Sequence, residues 1–152
     1  MGPAPVTDHQ QISIKLSTLL FTFVDEKKLG FVFSAPYDII FENKNVVQPD
    51  IIFVSNKNKK IITEKNIQGP PDLIIEILSP STAYYDLVDK KEIYEKFSVQ
   101  EYWIVDPKKQ RIEIFELVSG SYQLYQKSEK KGTIKSKIIN KFEISLTAVF
   151  SE

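Results

Sequence analysis

The chain predicts a single mixed α/β domain spanning residues 1–152, and three observations carry that expectation. Apolar residues recur at helical spacing near the N-terminus and again after residue 82. Short runs rich in β-branched and aromatic residues, separated by turn residues, fill much of the rest. These two kinds of segment interleave as helix, strand cluster, helix and strand, which favours one layered α/β unit over segregated domains. A chain of this length buries about 70% of its unfolded surface, enough for one core. No internal repeat, linker or low-complexity stretch divides it.

The first helix is predicted from about Asp8 to Glu26 on the spacing of Ile12, Ile14, Leu16, Leu19, Leu20, Phe23 and Val24. Thr7 or Asp8 would cap it and Gly30 would end it. Strands are predicted at Gly30 to Phe33, Tyr37 to Phe41 and Asp50 to Ser55, bounded by Pro36, Asn43-Lys44-Asn45 and Asn56-Lys57-Asn58. Residues 57 to 68 are polar and lysine-rich and read as a loop with a short helical turn. Gly69-Pro70-Pro71 then precedes a strand over Asp72 to Ser79. After Ser79-Pro80-Ser81-Thr82 a second helix runs from about Ala83 to Phe97, and a strand follows from Glu101 to Val105, stopped by Asp106-Pro107. Arg111 to Val118 and Ser121 to Gln126 alternate as strands around Ser119-Gly120, a hairpin signal. The remainder, Gly132 to Phe150, reads as one or two short strands and a terminal turn.

Composition narrows the function classes. With 20 basic and 20 acidic residues there is no global basic footprint for nucleic acid. Arg111 is the only arginine, so a bidentate contact to guanine can occur at most once per chain. Nucleic-acid binding would lean on lysine and phosphate and be salt-sensitive. The absence of cysteine excludes a disulfide framework and thiolate metal sites. No apolar run approaches the roughly 20 residues of a membrane span, and the first residues lack the pattern of a secretion signal. A cytoplasmic protein with no membrane partner is the expectation.

The chemically informative residue is Glu76, set among Leu73, Ile74, Ile75, Ile77 and Leu78. Burying an ionised carboxylate costs several kcal/mol unless a cation or several donors compensate. Pro49-Asp50 places a second carboxylate at a strand end, and Asp72 shares a face with Glu76 by period two at the strand mouth. On the following helix Asp86, Lys90 and Tyr94 form an i, i+4 stripe that can bring Lys90 to the acids. Two carboxylates and a lysine suit a metal-assisted phosphodiester hydrolase. Mg²⁺ takes oxygen ligands from one or two carboxylates, and an adjacent cation can orient water and offset negative charge.

The blander readings stand beside this one. Glu76 and Asp72 also fit a strand with one solvated face, and Asp50 a turn residue at a strand entry. Lys90 fits a solvated helix lysine paired with Asp86. His9, the only histidine, reads as structural at a helix start, and Tyr94, Tyr102 and Trp103 read as packing residues.

The order Pro49-Asp50, then Pro71 through Glu76 to Thr82, then Asp86, Lys90, Tyr94 and Glu101-Tyr102-Trp103-Ile104-Val105-Asp106-Pro107, resembles the Uma-type family of the PD-(D/E)XK, restriction-endonuclease-like superfamily. The resemblance extends back through Pro3-Ala4-Pro5 and His9-Gln10 and covers most of the chain to about residue 117. It implies a central mixed β-sheet flanked by helices, with a C-terminal β-hairpin extension. It also implies a Mg²⁺- or Mn²⁺-dependent DNA endonuclease. Asp50 and Glu76 would bind the metal, with the Ile77 carbonyl as a further ligand. The usual lysine position, two residues after the acid, is Leu78 here, and the resemblance moves that lysine to Lys90, which would position the attacking water. Family members carry an additional N-terminal β-hairpin, which the resemblance implies is missing from this sequence. Superfamily nucleases often pair, so a homodimer is expected. The alternative is a catalytically silent DNA-binding or assembly module of the same fold; hydrolysis of another phosphodiester also remains open.

Overall fold

The buried positions Ile12, Leu16, Leu20 and Val24 recur every four residues and hold one face of helix α1 (Ala4–Lys27) against a sheet. The computed structural model describes residues 4–79 and 84–151. The helix starts earlier than expected, so Thr7 and Asp8 lie inside it and neither is the N-cap. Pro5 does not prevent this, because proline is tolerated in a first turn where N–H groups have no helical partner. The other end closes on Lys28, whose φ is 54°. The Leu29 N–H donates to Val24 O at 2.9 Å and the Lys28 N–H to Asp25 O at 3.2 Å, the paired bonds of a Schellman ending.

Gly30 therefore does not end the helix. It begins β1 (Gly30–Ser34), where a Cβ would lie 2.2 Å from the Val54 carbonyl oxygen. Gly30→Ala is expected to destabilise the fold by about 2 kcal/mol, because the collision is with backbone and not with a movable side chain. A lowered urea midpoint at unchanged m-value would register it.

The chain continues through β2 (Ile39–Ile40), β3 (Val46–Val47), β4 (Ile51–Ser55), a 3₁₀ turn (Asn56–Ile61), β5 (Ile67–Gln68) and β6 (Leu73–Ile77). Helix α2 (Tyr84–Lys96) leads into β7 (Glu101–Asp106), β8 (Arg111–Val118), β9 (Ser121–Glu129), β10 (Thr133–Lys135), β11 (Glu143–Ser145) and α3 (Leu146–Phe150). The expected starting residue of the second helix, Ala83, and the Pro80-Ser81-Thr82 stretch lie outside the described residues.

The main sheet has six strands in the order β1-β4-β6-β7-β8-β9. Only β6 and β7 run parallel, joined by α2 as a crossover; the other neighbours are antiparallel. The C-terminal hairpin β8–β9 thus completes the edge of the central sheet. Its turn, Ser119 and Gly120, has φ of 51° and 81°, the double-positive geometry of a tight hairpin. Its strands do not alternate as cleanly as expected. Residues Ile112 to Phe115 are buried in succession, and a register shift falls between Ile114 and Phe115.

Both faces of this sheet are covered. On one, Ile51, Phe53, Leu73, Ile75, Trp103 and Val105 pack with α1, α3 and the C-terminal strands. On the other, Ile52, Val54, Ile74, Tyr102 and Ile104 pack with Leu87 and Tyr94 of α2 and with Ile39, Phe41 and Ile67 around a small β3-β2-β5 sheet. All five residues of β6 are therefore buried, as expected where layers cover both faces of a sheet. This overturns the solvated-face reading of Glu76: the residue is 3% exposed.

Candidate metal centre and active site

The register of β4 against β6 brings the two acids together. Ile51 pairs with Ile75 and Ile52 with Ile74, so continuing one step beyond β4 sets Asp50 opposite Glu76. Asp50 Oδ2 accepts the Ile77 N–H at 2.7 Å, which fixes the Asp50 carboxylate against the end of β6. Its other oxygen, Oδ1, lies 3.3 Å from His9 Nε2 in the first turns of α1. His9, expected to be merely structural, thus stands against the first acid.

Glu76 turns towards α2. Its Oε2 accepts a 2.7 Å hydrogen bond from the Tyr94 hydroxyl and lies 3.3 Å from Lys90 Nζ. Lys90 and Tyr94 are one helical turn apart, as the i, i+4 stripe requires. Lys91, the next residue along, instead sits over the Phe115 ring at 4.0 Å. Tyr94 is fully buried and meets Tyr102 edge-on at 5.0 Å, so its ring packs while its hydroxyl fixes the acid. Tyr102 and Trp103 are packing residues, as expected. Lys90 is 39% exposed, which gives its ammonium both a buried partner and access to solvent.

Burial pushes the Glu76 carboxyl above the ordinary glutamate range, and Asp50 adds to this; Lys90 and the Tyr94 hydroxyl oppose it. Burial and the adjacent Glu76 push the Tyr94 phenol well up, which keeps it a hydrogen-bond donor. The Asp50 hydrogen bond raises His9 above its ordinary value, against desolvation.

Other candidates separate from this cluster. Asp72 lies at the opposite end of β6, where it accepts the Ser55 N–H at 2.7 Å, the Ser55 hydroxyl at 2.9 Å and the Asn58 amide at 3.3 Å. Leu78 extends the ladder through its N–H to Val105 O at 2.8 Å, and its side chain packs against the core. Arg111 sits 3.8 Å from Asp106 and 3.7 Å from Glu129, so the one arginine is engaged in ion pairs at the sheet margin.

The donor set is chemically suited to a hard divalent cation: two carboxylates of mutually unfavourable charge and the Ile77 carbonyl, all oxygen. It is not a finished cage, since no three His, Cys, Asp or Glu side chains among the described residues are already disposed around an ion position. Glu76 in particular faces Tyr94 and Lys90.

A mixed sheet flanked by helices, with an acid at the end of the strand that precedes a crossover helix, is a restriction-endonuclease-like architecture. The chain belongs to the Uma2 family, described as a putative restriction endonuclease, whose sequence model matches residues 1–147. The fold is similar to the crystal structure of a putative nuclease belonging to DUF820 from Anabaena variabilis ATCC 29413, with a TM-score of 0.77 at 18% identity over 95% of this chain and 80% of that one. No curated protein matches the chain. None of the helices described is long and apolar enough to cross a membrane.

Proposed function

We propose that the protein is a metal-dependent endonuclease that hydrolyses DNA phosphodiester bonds. The observation that carries this reading is Lys90 Nζ at 3.3 Å from the buried Glu76 carboxylate, on the same sheet end as Asp50. Asp50, Glu76 and the Ile77 carbonyl would hold Mg²⁺ or Mn²⁺. Such an ion, when bound, polarises a phosphoryl oxygen and acidifies its water. Tyr94 fixes Oε2 of Glu76, and the Ile77 N–H fixes Oδ2 of Asp50, so neither carboxylate must be ordered when substrate arrives. Lys90 reaches solvent from this anchored position, hydrogen-bonds the attacking water, and offsets negative charge growing on the phosphoryl oxygens. Family membership and the shared fold support DNA as the substrate class. A two-fold dimer would present one such centre to each strand.

The test is cleavage of supercoiled plasmid by purified protein with Mg²⁺ or Mn²⁺, against EDTA. Lys90→Met is expected to lower the rate by about 10²-fold, the range of a single positioned proton-handling or charge-stabilising group, with the circular dichroism spectrum unchanged. A folded protein that binds Mn²⁺ yet cuts neither plasmid nor single-stranded DNA would instead support the catalytically silent DNA-binding or assembly module.

A further inference from the structure

We propose that His9 is a nitrogen ligand of this centre and biases it towards Mn²⁺ over Mg²⁺. The inference rests on the metal reading above and assigns a residue and an ion preference beyond it. His9 stands against one of the groups assigned to the ion: its Nε2 lies 3.3 Å from Asp50 Oδ1. Two ligand atoms at right angles on one small divalent ion, each about 2.1 Å from it, stand about 3 Å apart. The observed separation is therefore close to that of neighbouring ligands on one ion, and the Ile77 carbonyl is proposed to be the third atom of the same group.

The position of the ring is imposed by the core. Ile12, three residues on, is buried, and Leu16, Leu20 and Val24 continue the same anchored stripe. α1 therefore cannot rotate to carry His9 away without exposing its apolar face. The approach is polar and roomy. A cavity of about 250 Å³ is lined by His9 and Asp50 together with Gln10, Ser13, Ser17 and Ser34. That volume accommodates several waters, at about 30 Å³ each, which suits an ion that keeps part of its hydration shell.

The ion preference follows from ligand chemistry. Mg²⁺ favours oxygen and gains little from an imidazole, whereas first-row transition ions bind imidazole with affinities rising from Mn²⁺ towards Ni²⁺. His9 would thus add to the affinity for Mn²⁺ without a matching gain for Mg²⁺.

The experiment is Mn²⁺ binding to the purified full chain, followed by calorimetry and by electron spin-echo modulation from directly bonded ¹⁴N. The wild-type protein is expected to show ¹⁴N coupling. His9→Gln is expected to lose it, to bind Mn²⁺ about tenfold more weakly, and to change Mg²⁺ affinity less than threefold. Wild-type Mn²⁺ binding without ¹⁴N coupling overturns the proposal even if no variant folds. So does a His9→Gln variant that binds Mn²⁺ equally or more tightly, which would make the ring a competitor for the ion's place. Failure of the wild-type protein to bind Mn²⁺ at millimolar concentration is a separate result: it removes the metal reading itself and the His9 role with it.

Discussion

Glu76→Gln is expected to abolish DNA cleavage, by on the order of 10³-fold or more, and at the same time to raise thermal stability at neutral pH. The loss of activity follows from removing one of the two proposed charged metal ligands, an interaction worth several kcal/mol of charge stabilisation, at about 1.4 kcal/mol per tenfold in rate. The gain in stability follows from burial. The carboxylate is 3% exposed, and its removal from water raises the Glu76 carboxyl above its unfolded value despite Lys90 and Tyr94. Between the ordinary glutamate value and the raised one, the native state binds more protons than the unfolded state. Stability therefore falls as pH rises through that window, and the full penalty is present above it. Glutamine keeps an acceptor for the Tyr94 hydroxyl, and Lys90, being 39% exposed, can return to solvent. The melting temperature of the variant should match the wild-type protein in acid and exceed it near neutrality by on the order of 3 °C, equivalent to about 1 kcal/mol. Paired melting curves across pH in EDTA would measure this. A variant less stable at neutral pH would show that the charged pair with Lys90 stabilises the fold.

What the sequence revealed about this centre was local in kind. A glutamate flanked by aliphatics announced an energetic problem, and helical spacing alone placed Lys90 and Tyr94 where a solution could come from. Lys91, about 100° around the helix, goes to Phe115 as that geometry requires. Period two predicted a shared face for Asp72 and Glu76, but Asp72 lies just outside β6 and finds different partners. Asp72 meets Ser55 and Asn58 while Glu76 meets α2. His9 was illegible for a different reason. Its partner is 41 positions away (50 − 9), and the contact exists only because the α1 stripe docks on the sheet in one rotation. The two-residue strands Val46–Val47 and Ile67–Gln68 were too short to carry a period at all, and they pair with Ile39–Ile40. The start of α1 was misplaced because Thr7 and Asp8 are good caps in isolation, while the helix continues past them to Ala4.

A second buried glutamate is expected to behave in the opposite way: Glu101→Ala should cost about 3–5 kcal/mol of stability, and Glu101→Gln should not rescue it. Glu101 is 0% exposed at the start of β7. Its Oε2 accepts Trp103 Nε1 at 2.7 Å and the Ser136 hydroxyl at 2.8 Å, and its Oε1 accepts the N–H groups of Lys137 at 2.8 Å and Ile138 at 3.1 Å. This carboxylate fastens the segment that leads from β10 towards β11 onto the sheet. Beside it Phe142 stacks on Trp103 with ring centroids 6.3 Å apart, and Ile134, Ile139 and Ile144 enter the same core. Truncation strands four donors in a buried setting, which is where polar deletions cost most. Burial raises the Glu101 carboxyl while these donors oppose it, so here too stability declines as pH rises through the shifted range. The difference lies in the partners. At Glu76, Oε2 faces one neutral hydroxyl and a lysine that reaches water, so an amide can replace the acid. At Glu101 both oxygens accept from fixed donors, and an amide nitrogen at either position would point hydrogens at two of them. Urea titrations should therefore give markedly lower midpoints for both Glu101 variants. A Glu101→Gln midpoint equal to wild type would show that the donors, not the charge, can reorganise around this site.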